Sequence, residues 1–553
     1  MPPIDMPSID TPPLTPPKSH SPHSSDTRSA DLPTIDLPTI NLSVLTLSPE
    51  CLSALELKFI LKYRCLIFAK ERQDAQGEGC LHIALESTEA PIELISSHIL
   101  GLYPAMKQHF FLAKSTQKSG FDMQVEQIAR FQSFCALTKS LLAQHTTQSK
   151  DFKSDSAAAE LLDFILCECV KEGASDIHFE SGASPRIRIR ADGVLREIFG
   201  LELSVFEALS MRLKLECELD MTHTKHSQDG RFMREIEGAS YDFRLSLLPS
   251  FGGGESLVIR ILSQNSWQIS LHALGFEGAH LGEIRSLLSS PHGMILLSGP
   301  TGSGKSTTLY AMIQELISPL RKIITLEDPI EYHMPQITQV LLNHKQGFDF
   351  SAALKALLRH DPDVLMLGEI RDTQSLQIAL RASLTGHLLL STLHANDALG
   401  VIERLLDMGA QGYILASSLK LVIAQRLARR LCEHCKVRVS KESVLLQMRE
   451  LGLERLAWQL EERLEGEILE SSEFYTAKGC AICHQLGFQG RILLYEILPI
   501  SPLVQDYIKA PSQKAAFLAK LQAQGFSSML ENALTPLSMG TTSLEEIYRV
   551  CRA

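Results

Sequence analysis

The sequence predicts an α/β fold for the central part of the chain, because short apolar segments alternate there with helical patterns. The strand-like segments lie at residues 294–297, 323–326, 364–367 and 388–391. This alternation is typical of a mostly parallel sheet with helices on both faces. Ligands bind such sheets at the carboxyl ends of the strands. We therefore expect residues 266–430 to form one α/β domain whose functional side chains follow strands.

A separate α+β domain is predicted at residues 157–265, ahead of the α/β domain. Arginine and isoleucine alternate strictly at residues 186–190, which indicates a strand with one buried face. Asp192-Gly193 then interrupts the pattern before Val194-Leu195 resumes it. This arrangement is a strong signal for a β-hairpin, because Asp and Gly suit the positive φ angles of a tight turn.

The first 156 residues carry less information about function. Residues 1–45 are rich in Pro, Ser, Thr and Asp and repeat the unit Asp-Leu-Pro-Thr-Ile, so we expect a disordered tail. Residues 46–130 have the apolar segments of a small mixed domain. Residues 131–156, which include the polar stretch from Gln144 to Asp155, are interpreted as a linker to the α+β domain.

The composition of the chain excludes several classes of protein. Of 553 residues, 44% are hydrophobic and 21% are charged, which is ordinary for soluble domains. The formal net charge of −11 argues against a dominant nucleic-acid-binding surface. The absence of a long apolar run and of a signal-like start predicts a cytoplasmic protein without a transmembrane segment. The 12 cysteines suit reduced thiols and metal ligands better than disulfides.

A phosphate-binding loop is predicted where residues 299–306 match G-x-x-x-x-G-K-[ST] between a strand and a helical pattern. In this context backbone N–H groups cradle phosphates at a helix N-terminus. Lys305 can reach the β- and γ-phosphates, and the Ser306 hydroxyl can hold Mg²⁺. A chance match in a glycine-rich turn is the alternative. The predicted nucleotide-binding residues are Gly299, Pro300, Thr301, Gly302, Ser303, Gly304, Lys305, Ser306 and Thr307.

Two acidic clusters follow the second and third strand-like segments. Glu327, Asp328 and Glu331 follow the second, and Glu369 follows the third. Hydrolysis requires a carboxylate that orients or deprotonates water, and acidic groups that hold Mg²⁺. Gly368 stands where a metal-binding Asp is common, so we expect Glu369 to support Mg²⁺, through a water molecule. A solvated surface role is the alternative for any one of these carboxylates.

Two histidines, His387 and His394, flank the last strand-like segment. A histidine beside the γ-phosphate could sense the state of the nucleotide. A histidine near a strand is also often a core residue whose hydrogen bonds are satisfied. The sequence leaves both interpretations open for both residues.

Four cysteines form two C-x-x-C knuckles that predict a Zn²⁺ site. The ligands are Cys432, Cys435, Cys480 and Cys483, and His434 and His484 could substitute for a thiolate. The interval between the knuckles is longer than in a common zinc ribbon and contains a helical insertion. Free thiols or a redox pair are the alternatives. We assign residues 431–500 to this module and residues 501–553 to a C-terminal helical region.

These motifs together resemble those of the type II secretion and type IV pilus assembly ATPases. The resemblance rests on the phosphate loop and on residues 325–332, 365–372 and 385–397, and Gly368 is also what this family shows. It runs from about residue 157 to the C-terminus. It implies a RecA-like P-loop domain that hydrolyses ATP. The small N-terminal domain resembles a diverged first domain of the family.

The resemblance also implies roles for individual residues. Lys305 is a catalytic phosphate contact, Glu331 activates water, Glu369 supports Mg²⁺, and both histidines contact the nucleotide. Family members form hexameric rings in which the α+β domain contacts nucleotide across subunit boundaries. Pairing with local carboxylates is the alternative for the arginines that could do this here. These arginines are Arg231, Arg244 and Arg260.

The resemblance finally implies the function. The tetracysteine module is typical of the secretion and pilus-extension branch of the family. We therefore expect a cytoplasmic homo-hexamer, peripheral on the inner membrane, that binds ATP, Mg²⁺ and Zn²⁺ and drives pilin or pseudopilin assembly with an inner-membrane platform protein. A DNA-uptake or conjugation-type translocation ATPase is the alternative, and the acidic composition weighs against it.

Overall fold

The fold is described from a computed structural model of the chain. The description covers residues 153–552 except for gaps at 223–225, 252–253, 264–266, 343–349, 466–472, 481 and 512. Before residue 153 it covers residues 39–40, 55, 57–63, 65–71, 79–85, 92–102, 106–113 and 118–146. Within these parts of the chain, no helix combines the length and the apolar character that a bilayer crossing requires.

A four-stranded sheet with two helices forms the N-terminal part of the described chain. Its elements are β1 (Thr39–Ile40), α1 (Leu57–Tyr63), β2 (Cys65–Glu71), β3 (Gly79–Leu85), α2 (Ile92–Leu102) and β4 (Met106–Ala113). The strand order is β1-β4-β3-β2. Of the predicted tail at residues 1–45, only β1 is described, and it pairs in parallel with β4. The rest of that tail lies outside the described residues.

A 29-residue helix, α3 (Lys118–Thr146), differs from the linker that the sequence suggests at residues 131–156. Phe134 and Leu141 of this helix are buried in the core of the α+β domain. The ring of Phe134 stacks on Phe199 with 4.0 Å between the centroids. The polar composition of residues 131–146 therefore reflects the solvent-facing side of a helix.

The α+β domain is a six-stranded antiparallel sheet with helices on one face, in the strand order β7-β6-β5-β10-β9-β8. The predicted hairpin is confirmed, because β6 pairs with β7 around Asp192 and Gly193, whose φ angles are 48° and 80°. Ile187 and Ile189 are fully buried on the helix side. The elements are α4 (Lys153–Lys171), β5 (Ala174–Glu180), β6 (Arg186–Ala191), β7 (Val194–Gly200), α5 (Leu203–Glu216), β8 (Gln228–Ile236), β9 (Ala239–Pro249) and β10 (Glu255–Ser263).

The predicted α/β fold is confirmed by a seven-stranded sheet in the order β13-β12-β14-β15-β11-β16-β19, whose last strand comes from the residues assigned above to the cysteine module. All neighbours are parallel except β16 and β19. Its strands are β11 (Gly293–Ser298), β12 (Ile323–Glu327), β13 (Thr338–Leu341), β14 (Val364–Leu367), β15 (Leu388–Leu393), β16 (Leu419–Leu431) and β19 (Phe488–Pro499). Its helices are α6 (Gly278–Leu288), α7 (Lys305–Leu316), α8 (Phe350–Leu357), α9 (Thr373–Leu384), α10 (Ala398–Asp407) and α11 (Gly412–Ser418).

Both faces of this sheet are covered. Met294 and Leu296 belong to the core on one face, and Ile295 and Leu297 belong to the core on the other, which includes α7. A strand that is buried on both faces reads as a continuous apolar run, which is why these strands are visible in the sequence.

The cysteine module and the C-terminal helices complete the chain. The predicted helical insertion between the knuckles forms two helices. The module contains β17 (Val437–Val439), α12 (Lys441–Glu450), α13 (Glu454–Glu465) and β18 (Phe474–Thr476). The C-terminal helices are α14 (Pro502–Lys509), α15 (Lys514–Ala523), α16 (Met529–Asn532), α17 (Leu534–Ser538) and α18 (Leu544–Cys551). These helices share one hydrophobic core with the sheet.

Candidate functional site

Four parallel strands end together at one edge of the central sheet. Leu326 near the end of β12 pairs with Leu367 at the end of β14. Ser298 at the end of β11 pairs with Leu393 at the end of β15, the strand next to β14. The segments that follow these strands carry the predicted phosphate loop, both acidic clusters and His394. The fold therefore brings most of the predicted site residues to the same edge, which we call the phosphate edge.

The phosphate loop has the backbone conformation that its glycines allow. Gly302 and Gly304 have φ angles of 79° and 86°, and Gly304 caps the N-terminus of α7. A Cβ atom on Gly299 would lie 2.4 Å from the Gln425 carbonyl oxygen, so no larger residue fits there. The Gln425 side chain donates a hydrogen bond of 2.8 Å from Nε2 to the Ser303 carbonyl and braces the loop from β16.

Two groups of the loop are suited to an incoming phosphate. The Ser303 hydroxyl is buried and has no hydrogen-bond partner among the described residues. The Lys305 ammonium donates to the carbonyls of Gly299 and Pro300, over 2.7 Å and 3.0 Å. Burial lowers the pKa of Lys305, while the charge of Glu369 opposes that shift. A phosphate would add negative charge beside this half-buried ammonium, so the loop fits a nucleotide.

Glu369 and His394 meet at the phosphate edge. His394 Nε2 lies 3.3 Å from Glu369 Oε2, and Arg371 donates to the other carboxylate oxygen. The loop of His394 is fixed to β11, because the Ser298 hydroxyl donates to the Ala395 carbonyl over 2.8 Å. The Glu369 carboxylate is half-buried and acts electrostatically on Lys305. A hard oxygen ligand in this position is suited to Mg²⁺ and its waters.

Glu331 lies on the same side of the sheet as α7. Its neighbour Tyr332 packs edge-on against Tyr310 of α7, with 5.3 Å between the ring centroids. The charge of Glu331 contributes to raising the pKa of Tyr310, behind the larger effects of burial and Glu327. Glu331 is half-buried and therefore partly open to solvent. Glu331 therefore lies near α7, the helix that follows the phosphate loop.

Glu327 has contacts that support the fold. It is 4% exposed and accepts hydrogen bonds from Tyr310, Thr325 and Gln339. The bonds from Tyr310 and Gln339 hold β12 against α7 and β13, and the bond from Thr325 lies within β12. Asp328, which follows it, is exposed at the sheet edge.

His387 lies at the opposite edge of the sheet. It precedes β15, and its ring Nδ1 lies 3.0 Å from the Ala382 carbonyl and 3.3 Å from the Thr385 hydroxyl. The six residues of β15 separate it from the phosphate edge, a distance of about 20 Å. The structure therefore does not bring His387 to the nucleotide site of its own chain.

The three predicted arginines form a row across the α+β sheet. Arg231 and Arg260 both lie directly opposite Arg244, on its two neighbouring strands. Arg244 donates to the Ile330 carbonyl, one residue before Glu331. Arg260 pairs with Asp176 over 3.1 Å, as the alternative interpretation of these arginines expects. Arg244 thus links the α+β sheet to the α/β domain.

The four cysteines form one buried cluster. All four Sγ atoms lie within 4.8 Å of one another. Neighbouring Sγ atoms are separated by 3.9 Å (Cys432 to Cys480), 3.7 Å (Cys435 to Cys483) and 3.6 Å (Cys480 to Cys483). Zn–S bonds of about 2.3 Å in a tetrahedron place sulfurs about 3.8 Å apart. The cluster therefore fits Zn²⁺.

The thiols of the cluster need a cation to become thiolates together. Burial raises the pKa of Cys432 to about 11 and also raises the pKa of Cys435. Burial acts in the same direction on Cys483, but the backbone N–H groups of Cys480 and Gly487 lower its pKa overall. Zn²⁺ stabilises thiolates in such a site.

Neither histidine of the module belongs to this cluster. His484 Nε2 lies 2.7 Å from Glu172 of the α+β domain. His434 is exposed on the first knuckle.

Gln425 is a site residue that the sequence prediction does not include. Its signal is a polar pair, Gln425-Arg426, inside the apolar run of β16. β16 lies beside β11, so a polar side chain just beyond its pairing with Ser298 reaches the phosphate loop. Gln425 could have been assigned to the site only with the order of the strands in the sheet known.

Comparison with known proteins decides the family. Residues 151–549 match the model of the family described as Type II/IV secretion system protein. This chain is a member of that family. The type II secretion system ATPase E of Vibrio cholerae is 40% identical over 74% of this chain and 79% of its own length. The type IV pilus assembly ATPase PilB of Pseudomonas aeruginosa is 39% identical over 72% of this chain and 68% of its own.

The fold is also seen in a solved structure. The ATPase DotB of Legionella pneumophila matches with a TM-score of 0.51 and 19% identity, over 70% of this chain and 95% of that chain. The resemblance, the α/β fold class and the assignment as a secretion and pilus ATPase are confirmed by these comparisons. The chain is a P-loop ATPase of the Type II/IV secretion system family.

Proposed function

We propose that this ATPase is a hexameric motor that drives pilin or pseudopilin assembly at the inner membrane. The names of its relatives include both a type II secretion ATPase and a type IV pilus assembly ATPase. The catalytic proposal is supported by the charge of Glu369 acting on Lys305, and by the packing of Tyr332, next to Glu331, on Tyr310 of the helix that follows the phosphate loop. The zinc module is proposed as the surface that docks on a platform protein.

In the proposed reaction, the loop amides and Lys305 hold the triphosphate. The ammonium leaves the carbonyls of Gly299 and Pro300 and pairs with the β- and γ-phosphates. Ser306 and Glu369 would hold Mg²⁺, which neutralises charge that develops on the phosphates. Glu331 orients a water molecule for in-line attack on the γ-phosphorus and accepts its proton, while the bond from that phosphorus to the β-phosphate oxygen breaks and ADP leaves.

His394 is proposed to report the state of the γ-phosphate through its contact with Glu369. Arg244 donates to the carbonyl of Ile330, the residue before Glu331 in the same chain. The exposed Arg231 of a neighbouring copy in the ring is proposed to contact the nucleotide. A guanidinium stabilises negative charge on a transferring phosphoryl group.

Replacing Glu331 by Gln tests this proposal. The amide keeps the size of the side chain but cannot accept the proton, so we expect ATP binding within about twofold of the parent and turnover reduced about 10²–10³-fold. Glu462→Gln, at an exposed position of α13, is the matched control. ATP binding and phosphate release would be measured on the same samples. Parent-like turnover by the Glu331→Gln protein would reject the assignment.

A further inference from the structure

The second cysteine knuckle lies against the α+β domain. His484, directly after Cys483, places Nε2 2.7 Å from the Glu172 carboxylate. A second contact lies nearby, because the Gly490 amide donates to Asp192 over 2.6 Å. Arg491 adds an ion pair with Asp192, with 3.5 Å between Nε and Oδ1. One of these contacts comes from the cysteine module and the other two come from β19 of the central sheet, so both parts hold the α+β domain of the same chain.

Glu172 is a fixed anchor for His484. Its carboxylate also accepts from Arg130 of α3 and Arg196 of β7. Burial alone would raise the pKa of Glu172, but the hydrogen bond to His484 and the two arginines hold it far below its ordinary value. The carboxylate is therefore charged and held from three directions, so its position does not depend on His484.

The position of His484, in contrast, depends on the cysteines. His484 and Gln485 adopt left-handed φ angles of 50° and 62°. The turn that contains them is closed by two N–H···S hydrogen bonds to Cys483, from the amides of Cys480 and Gly487, each of 3.2 Å. Amides point at a sulfur in this way when it carries negative charge, as a metal-bound thiolate does.

We propose that Zn²⁺ in the cysteine cluster sets the orientation of the α+β domain on the ATPase domain, by holding His484 on Glu172. This inference rests on the zinc occupancy included in the proposed function. The contact has a consequence at the phosphate edge, because the turn at Asp192 joins two strands of the six-stranded sheet that also carries Arg244. Without the His484 contact, the Asp192 contacts with β19 remain, and the domain can turn about them and withdraw Arg244 from the Ile330 carbonyl.

Hydrogen exchange of the full-length protein tests this inference, after its zinc content has been measured. The reporters are peptides of the α+β domain around residues 168–176 and 188–196, which are remote in sequence from the cysteines. We expect chelation of zinc to speed exchange in both peptides by about tenfold, the factor that loss of one charge-assisted hydrogen bond produces.

Variants separate the contact from metal ligation. His484→Ala is expected to speed exchange in the same peptides while one zinc per chain remains bound. His484→Gln should restore much of the protection, because its amide can donate to Glu172. His434→Ala, at the exposed histidine of the first knuckle, should match the parent in both measurements.

The possible results distinguish a failure of the zinc assignment from a failure of the proposed His484 contact. A purified protein without zinc would refute both the zinc part of the proposed function and this inference. A zinc-loaded protein whose reporter peptides exchange at the same rate after chelation, and after His484→Ala, would refute the inference alone. Loss of zinc in the His484→Ala protein would show that His484 is a ligand and would also overturn it.

Discussion

The cysteine cluster and the phosphate edge are both polar sites, but one is closed and the other is open. All four cysteines of the cluster are buried, and their sulfurs contact one another. At the phosphate edge, the His394 side chain is 56% exposed and Lys305 bonds to carbonyls of its own loop. A closed site of four sulfurs suits a permanent structural ion, whereas an open site suits a ligand that is exchanged at every turnover. We therefore expect changes in the cysteine cluster to affect stability and changes at the phosphate edge to affect catalysis.

The largest effect is expected at the open site. Lys305→Ala removes the half-buried ammonium that is proposed to pair with the phosphates, and we expect nucleotide turnover to fall about 10²–10³-fold, with weaker binding. The folded stability should change little. Lys520→Ala, at an exposed position of α15, is the control. Turnover close to that of the control would contradict the role of the phosphate loop in nucleotide binding.

The closed site should respond in the opposite way. Cys435→Ser breaks the four-sulfur shell, so we expect zinc loss and a decrease of several kcal/mol in the unfolding free energy of the module, about the scale of a structural zinc site. Metal analysis and thermal unfolding measure both. Cys167→Ser, at a half-buried thiol outside the cluster, should keep its zinc. ATP binding by the Cys435→Ser protein should remain near the parent value, and its loss would contradict the separation of the two sites.

The two histidines sharpen the comparison within the sheet. His394→Ala removes the contact with Glu369, and we expect nucleotide affinity to fall about tenfold, as for loss of a charge-assisted hydrogen bond. His387→Ala, at the opposite edge, should leave affinity unchanged, because its contacts are to Ala382 and Thr385. Fluorescence titration with a nucleotide measures both proteins. Equal losses in the two variants would contradict the assignment of His387 to the far edge.

The smallest effect is expected at Gln425. Gln425→Ala removes one neutral hydrogen bond to the phosphate loop, worth about 1 kcal/mol, which corresponds to about a fivefold loss of nucleotide affinity. Gln377→Ala removes a similar bond, of 3.0 Å to the Gly409 carbonyl, away from the site. Equal nucleotide affinities in the two variants would mean that the hydrogen bond from Gln425 to the phosphate loop does not contribute to binding.

Much of the site could be predicted because its residues follow strands or have a fixed spacing. The parallel strands are buried on both faces and stand out as apolar runs, so the groups that follow them could be assigned to one edge. The cysteine pairs were visible from their spacing alone. His387 and His394 lie at opposite ends of β15, so their separation could be predicted once the length of that strand was known.

Other features depend on contacts that no local pattern records. The role of Glu327 in packing follows from the meeting of its side chain with Tyr310 of α7, 17 residues away in the chain. The contact of His484 with Glu172 spans two domains, so the sequence alone suggested a metal ligand instead. The helix α3 was hidden because few apolar residues are enough to anchor a long helix on a neighbouring core.

The most direct test of the account is a structure of the Glu331→Gln protein with ATP and Mg²⁺. The account predicts the triphosphate in the phosphate loop, the Lys305 ammonium on its terminal phosphates, and the substituted side chain within about 2.6–3.2 Å of a water that faces the γ-phosphorus. A triphosphate bound elsewhere, or a water held by another carboxylate with residue 331 turned away, would contradict it.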